Sequence, residues 1–307
     1  MLTAICMNPA IDRTVTVPSL QIGAVNRIAA VRQDVGGKGV NVAVTAKRLG
    51  IESFVLGCAG KEGMERVMNR LSAEQIGSAF LSLDGAVRTN TKIVVMQPHC
   101  VTELNEQGAP INAQQIQDFL AMAKKYVHSG DSVVLTGSLP PNAPKDTYRV
   151  LMERLPECRC VLDASGETLL QGLKAHPFLI KPNQHELHET LGYPCDTLAQ
   201  VRAAAMKLIG MGAENVLVSL GADGAMWVMR DAAMVAPAMP VTVSSTVGAG
   251  DAMVGGVMAG LIKTGDIRQA FAYGVAAGSA SVMTDGTQLI QLDAFEALLP
   301  QVKIQDV

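Results

Sequence analysis

The 307-residue sequence has few aromatic side chains, with 1 Trp, 4 Tyr and 6 Phe. That is too few for a platform on which successive bases stack, and no basic block runs along the chain to follow a phosphate backbone. Charge is sparse as well. Lys and Arg number 25 against 28 Asp and Glu, a formal net charge of −3, so a polycationic nucleic-acid binder is excluded. Long apolar runs are missing too. The longest, 252–262, spans eleven residues and contains three glycines, well short of the ~20 that a membrane-crossing helix needs. The expectation is no nucleic-acid partner and no membrane partner. The segment from Met1 to Pro9 lacks the basic and long apolar stretches of a secretion signal and reads as a first strand. Six cysteines stand without a Cys-x-x-Cys pair, which suits free, buried thiols in a cytoplasmic protein.

Apolar and small residues fill the space left by these shortages. Hydrophobic residues make up 49% of the chain, glycines number 29, and the mean hydropathy is +0.24. A chain of this mass buries roughly three quarters of its unfolded surface, enough for one large core. Ser132 to Thr136, Cys160 to Asp163, Phe178 to Lys181 and Asn215 to Ser219 read as short buried strands. Helical patterns follow the first three, at Pro144 to Arg154, Glu167 to Leu173 and Gln184 to Leu191, which predicts a mostly parallel sheet. The fourth breaks the alternation. Val216 to Ser219, a glycine-rich turn, and Ala225 to Met229 predict a hairpin, so antiparallel strands join the sheet late. In the N-terminal third, Ile11 to Pro18, Asn26 to Gln33 and Asn90 to Met96 alternate apolar and polar residues, as in a small half-exposed antiparallel sheet. Asn41 to Leu49, stopped by Gly50, predicts a helix between these pieces.

The strongest local signal is Ser244 to Gly256, where a strand end runs through Val247-Gly-Ala-Gly-Asp251 into a helix. Free N–H groups and the positive end of the helix dipole there make an anion site suited to phosphate. Asp251 either complements that dipole or accepts a proton from a substrate hydroxyl while the backbone donors stabilise a transferring phosphoryl group. Two familiar loops fail on spacing. Met253 stands where a dinucleotide fingerprint needs glycine, and Gly39 follows Gly37-Lys38 where a Walker loop needs Ser or Thr. Asn183 and Glu186 sit three apart at a helix start, the spacing of a capping box. His185 and His188 miss the four-residue spacing of a zinc helix and read as surface residues. Ser219 to Gly224 reads as the hairpin turn, and Gly274 to Ser281 as a tightly packed helix.

Five ordered segments, Asn8 to Asp12, Val35 to Asn41, Thr136 to Pro141, Lys181 to Glu186 and Val247 to Asp251, together resemble the ribokinase-like, or PfkB, carbohydrate kinases across nearly the whole chain. The resemblance implies a three-layer α/β/α sandwich with a mostly parallel central sheet. It also implies a small β-sheet lid, with strands from about 11–33 and 88–106 inserted in a single kinase domain. It makes Asp251 the general base, with Gly248, Ala249 and Gly250 forming the anion hole. Asp12 and Asn41 would hold sugar hydroxyls, with Gly36 and Gly37 allowing close approach of the backbone. Lys38, Arg27 and Arg88 would face the phosphate already on the sugar, and Ser138 would touch it; each cation is equally readable as an ordinary solvated charge. ATP would lie along Lys181, Asn183, Thr246 and the loop Ser219, Leu220, Gly221, Ala222, Asp223 and Gly224, with Gly274 to Ser281 walling the adenine. Asn183 and Glu186 would position Mg²⁺ through water, in keeping with its preference for oxygen ligands and retained waters.

Arg88 to Lys92, Thr102 to Pro110 and Leu298 to Lys303 resemble the branch of the family that phosphorylates fructose 1-phosphate. The branches acting on tagatose 6-phosphate and fructose 6-phosphate share nearly all the other motifs, so the sugar stays open. A non-catalytic sugar-phosphate sensor is the rival from another class, and intact Asp251, Asn183 and Glu186 argue against it. A nicotinamide oxidoreductase lacks its fingerprint. The resemblance also implies a homodimer through the lid, in keeping with the apolar face that a lone small sheet has to cover.

Overall fold

The computed structural model describes residues 1–284, 286 and 288–307. A ten-stranded sheet runs, edge to edge, through Gln305–Asp306, Ala233–Ala236, Ala225–Val228, Asn215–Ser219, Leu179–Ile180, Arg159–Asp163, Ser132–Thr136, Leu2–Cys6, Ser53–Glu62 and Gly77–Ala86. From Asn215–Ser219 to Gly77–Ala86 every neighbouring pair is parallel. Ala225–Val228 then folds back antiparallel on Asn215–Ser219, with Val216 opposite Val228 and Ser219 opposite Ala225. The predicted hairpin is therefore present.

Side-chain alternation along these strands feeds two cores. Val216 and Val218 face one side with Leu162, Ile180 and helices Ala113–Tyr126, Thr147–Arg154 and Leu198–Gly210. Leu217 faces the other with Trp227 and helices Ala249–Thr264 and Ile267–Val282. These are the three layers of the sandwich. In the second core the glycines of Ala249–Thr264 are contact points: a Cβ on Gly255 would stand 2.7 Å from Thr45 Cβ, and one on Gly256 would stand 2.6 Å from Ala277 Cβ. Both neighbouring helices thus approach this helix at backbone distance. Gly274 packs in the same way against Val257, the tight helix contact predicted for that stretch.

A separate four-stranded sheet has the order Ala30–Gly36, Ala10–Val17, Arg88–Val95, Cys100–Asn105. Its outer pairs are antiparallel, but the central pair, Ala10–Val17 with Arg88–Val95, is parallel, in contrast to the fully antiparallel sheet expected. Both central strands leave the main body in the same direction, one after Leu2–Cys6 and the other after Gly77–Ala86. The strand expected from Asn26 begins only at Ala30. Asn26 is instead occupied in a loop, where its side chain accepts from Gln21 N at 2.8 Å and donates to the carbonyls of Gln21 and Ala24. All six cysteines are free, and Cys6, Cys58 and Cys195 are buried, whereas Cys100 is exposed. Among the described residues no helix is long and apolar enough to cross a membrane.

Candidate active site

The candidate residues gather where the parallel strands end, the usual place for a ligand crevice in such sheets. Three strand ends contribute. Thr136 closes Ser132–Thr136, Asp163 closes Arg159–Asp163, and Lys181 follows Leu179–Ile180. Asp163 is 1% exposed and accepts from Thr136 Oγ1 at 2.9 Å. Lys38 Nζ lies 3.2 Å from its Oδ2 and Lys181 Nζ 3.5 Å from its Oδ1. Burial alone would raise this carboxyl, yet Lys181 and Lys38 outweigh it and hold Asp163 down to about 2. In return Asp163 pushes the Lys38 ammonium above its ordinary range, with Asp251 and Glu186 adding to the effect. Asp163 was not singled out from the sequence; its one signal is a carboxylate at the carboxyl end of a predicted buried strand.

Asp251 occupies the first turn of Ala249–Thr264, behind the N-cap Gly248, whose φ is +79°. It is 7% exposed and accepts from Asn41 Nδ2 at 2.8 Å. Burial is the main force on its carboxyl, and Asp163 adds to it. Lys38, the Asn41 amide and Lys181 oppose, and the balance leaves Asp251 at about 6. A carboxylate so placed is ionised at neutral pH yet a far better proton acceptor than an exposed one. The expected anion hole needs one adjustment. The Ala249 N–H turns inward to Thr246 O at 3.3 Å, whereas the Gly250 and Asp251 amides have no acceptor among the described residues. Lys181 Nζ reaches to 3.1 Å from the place of a Cβ on Gly250, so cation and free amides lie together.

The small sheet supplies Asp12, which accepts from Asn90 Nδ2 at 3.1 Å and is held above the usual carboxylate range, chiefly by burial. Gly36 is required beside it, because a Cβ there would stand 2.1 Å from Asp12 Oδ2. Gly37, with φ +115°, turns the chain into the helix Lys38–Arg48, which sets Lys38 beside Asp163 and Asn41 beside Asp251. Asn8, 9% exposed, is the hub of the opposite wall. Its amide reaches Gln107 O at 3.0 Å and Ser138 Oγ at 3.4 Å, and its carbonyl accepts from Arg88 Nε at 3.2 Å. Arg88 and Ser138 thus converge. Arg27 does not join them: it lies in the exposed 18–29 loop and has no ion pair among the described residues.

Asn183 and Glu186 form a reciprocal capping box. Asn183 Oδ1 accepts from Glu186 N at 2.7 Å, and Glu186 Oε2 accepts from Asn183 N at 2.8 Å. Glu186 Oε1 has no partner among the described residues, so one oxygen is left for a hydrated cation. Hydrated Mg²⁺ fits a set of this kind, being held through its own waters by one or two carboxylates. No group of three or more metal-ligating side chains occurs among the described residues. Asn183 also bridges to Ser219, where the loop Leu220 to Gly224 begins. That loop is a short 3₁₀ turn, with Leu220 N donating to Gly224 O at 2.8 Å. Gly224 is needed for the hairpin itself, since a Cβ there would meet Ala236 O at 2.1 Å. Ala222 and Asp223 are exposed at its tip, and Thr246 is exposed as well.

Comparison with known proteins identifies the family. The chain is 35% identical over 308 residues to the 1-phosphofructokinase of Bacillus subtilis, covering 99% of each. It is 32% identical over 303 residues to that of Escherichia coli, covering 98% of this chain and 97% of the relative. Among solved structures, phosphofructokinase-2 of Escherichia coli superposes with a TM-score of 0.90 at 29% identity, covering 98% of each chain. The family model described as "pfkB family carbohydrate kinase" matches residues 2–294, the whole span from the first strand to beyond the Asp251 helix, and the chain belongs to that family.

Proposed function

We propose that this protein transfers the γ-phosphoryl group of ATP to fructose 1-phosphate, giving fructose 1,6-bisphosphate. The observation that carries the reading is Asp251, a buried carboxylate held at about 6 beside two free backbone amides and Lys181. The full-length likeness to proteins named 1-phosphofructokinase supports the choice of sugar phosphate.

In this reading the sugar lies between Asp12, Asn41 and Gly36, and its own phosphate meets Arg88, Ser138 and Lys38. Asp251 takes the proton of the attacking hydroxyl at its carboxylate, an assistance worth roughly 10²- to 10⁴-fold. The N–H groups of Gly250 and Asp251 receive charge on the transferring group, with Lys181 alongside. ATP lies along Ser219 to Gly224 and Thr246. Bound Mg²⁺, held through water by Glu186 and Asn183, supplies charge neutralisation at the phosphates. The chain acts as one kinase domain with its lid, in the cytoplasm, and as a homodimer. For the dimer the support is the exposure of Val31, Val101 and Leu104 on the lid and of Ile22 and Val25 in its loop. Light scattering reads the mass directly, and a monomer at micromolar concentration would refute it.

A second reading, fructose 6-phosphate as acceptor, is favoured by the likeness to phosphofructokinase-2 of Escherichia coli, a structure of which is in complex with fructose 6-phosphate. ADP release from Mg-ATP with fructose 1-phosphate, fructose 6-phosphate, tagatose 6-phosphate and fructose decides between them. Fructose 1-phosphate should give the highest kcat/KM; a tenfold or greater advantage for another sugar would overturn the choice.

A further inference from the structure

Arg48 ends the helix Lys38–Arg48 on the same face as Asn41, seven residues earlier. Its guanidinium works in two directions. Nη2 and Nε donate to the Glu74 carboxylate at 2.6 and 3.3 Å, and Glu74 is held in turn by Arg70 at 2.5 Å. Nη1 has two hydrogens and meets two backbone carbonyls, Gln288 O at 2.8 Å and Ile290 O at 2.9 Å.

Between those carbonyls stands Leu289. Its φ is +62°, a conformation a leucine keeps only when its surroundings hold it, and its side chain is buried. Thr284 Oγ1 bonds the Leu289 carbonyl at 3.0 Å. The Leu289 Cδ2 lies 3.4 Å from the place of a Cβ on Gly248, and Asn41 Nδ2 flanks the same place at 3.7 Å. Gly248 is the N-cap of the helix with Asp251 in its first turn. One helix therefore reaches this turn twice, directly through Asn41 and indirectly through Arg48 and Leu289.

We propose that Arg48 is a positioning residue for phosphoryl transfer: its hold on the carbonyls of Gln288 and Ile290 seats Leu289 beneath Gly248 and fixes the turn that presents Asp251 and the free amides. This rests on the kinase reading above. Arg48→Met keeps much of the side chain's length and removes the donors, whereas Arg48→Lys restores a cation. Leu289→Ala removes the wedge and leaves the Glu74 pair in place.

Arg48→Met should lower kcat by about 10- to 100-fold, as small misplacements of reacting groups do, with the sugar-phosphate KM nearly unchanged. Arg48→Lys should recover part of the loss. Leu289→Ala should act in the same sense, and the double variant should be no worse than the weaker single, as expected of residues acting through one contact. Hydrogen exchange without substrate should quicken at the bonded amides of Ala249 and Ala252 and stay unchanged at 258–264. A wild-type kcat with wild-type exchange at Ala249 and Ala252 would overturn the proposal, as would additive losses or quickened exchange along the whole helix. If Arg48→Met does not fold, Leu289→Ala decides alone by the same two measurements. Failure of the kinase reading would appear separately, as a wild-type protein inactive on every sugar phosphate, and the exchange comparison would still judge Arg48.

Discussion

The amide of Asn41 donates to the carboxylate of Asp251 across 2.8 Å, joining two residues 210 positions apart in a buried contact. The bond favours the ionised carboxylate, while burial favours the protonated one. The site's basicity is the balance between them.

Replacing Asp251 by Asn should cut turnover by about 10²- to 10⁴-fold while sugar-phosphate binding persists. It should also stabilise the fold. A carboxyl at about 6 against the ordinary 3.8 keeps its proton longer when folded than when unfolded, so stability falls as pH rises between those values. At pH 8 the cost is on the order of 3 kcal/mol, and Asn removes it. Urea denaturation at pH 8 and pH 4 should show a gain that shrinks toward the lower pH; a gain independent of pH contradicts the assignment.

The pH dependence of kcat/KM should have an acid limb near 6, activity rising as Asp251 ionises. Because the Asn41 amide stabilises the charged form, Asn41→Ala should move that limb to higher pH. A limb that stays in place, or moves down, would mean that another group titrates there.

Gly36→Ala puts a methyl group where Asp12 Oδ2 now lies. The sugar-phosphate KM should rise about 10-fold or more, the scale of a lost hydroxyl contact, with the ATP KM nearly unchanged. Equal rises in both constants would point to a disturbance of the whole cleft.

Asp163→Asn leaves Lys38 and Lys181 close together with no carboxylate between them. Breaking a buried pair in this way costs about 3–5 kcal/mol. Asp163 is held down to about 2, so its contribution is full above the unfolded carboxyl value near 4 and fades as pH falls toward 2. The stability gap between wild type and variant should therefore narrow in acid, as read by urea midpoints at pH 7 and pH 3. The acid limb of kcat/KM should also move down, since Asp163 helps to raise Asp251.

Much of the fold was legible because its signals are local. Ser132–Thr136, Asn215–Ser219 and the helix Gln184–Leu191 carry their boundaries in buried runs and caps, and they fall where the pattern puts them. Partnership is not local. Alternation marks Ala10–Val17 and Arg88–Val95 as strands but says nothing of direction, and the pair turned out parallel. The site divides the same way. Gly248 to Asp251 announces a helix start suited to an anion, whereas the inward turn of the Ala249 amide depends on Thr246 O. Asp163 and Arg48 acquire their meaning only from lysines and carbonyls that the fold brings to them. Asn183 and Glu186 fit a capping box and a metal site at once, and the box is built without using Glu186 Oε1.

The strand Leu2–Cys6 lies in the interior of the large sheet, between Ser132–Thr136 and Ser53–Glu62, while Asp251 arrives on a helix that begins at Ala249. A chain emerging from the ribosome therefore makes this interior strand well before the helix that carries Asp251. Until the Ala249–Thr264 helix is released, the side of Lys38–Arg48 that it covers at Val42 and Thr45 has no cover, and Asn41 has no carboxylate to hold. Fragments of this protein halted before that helix would lack Asp251 and its free amides and would leave an apolar helix face for chaperones to guard.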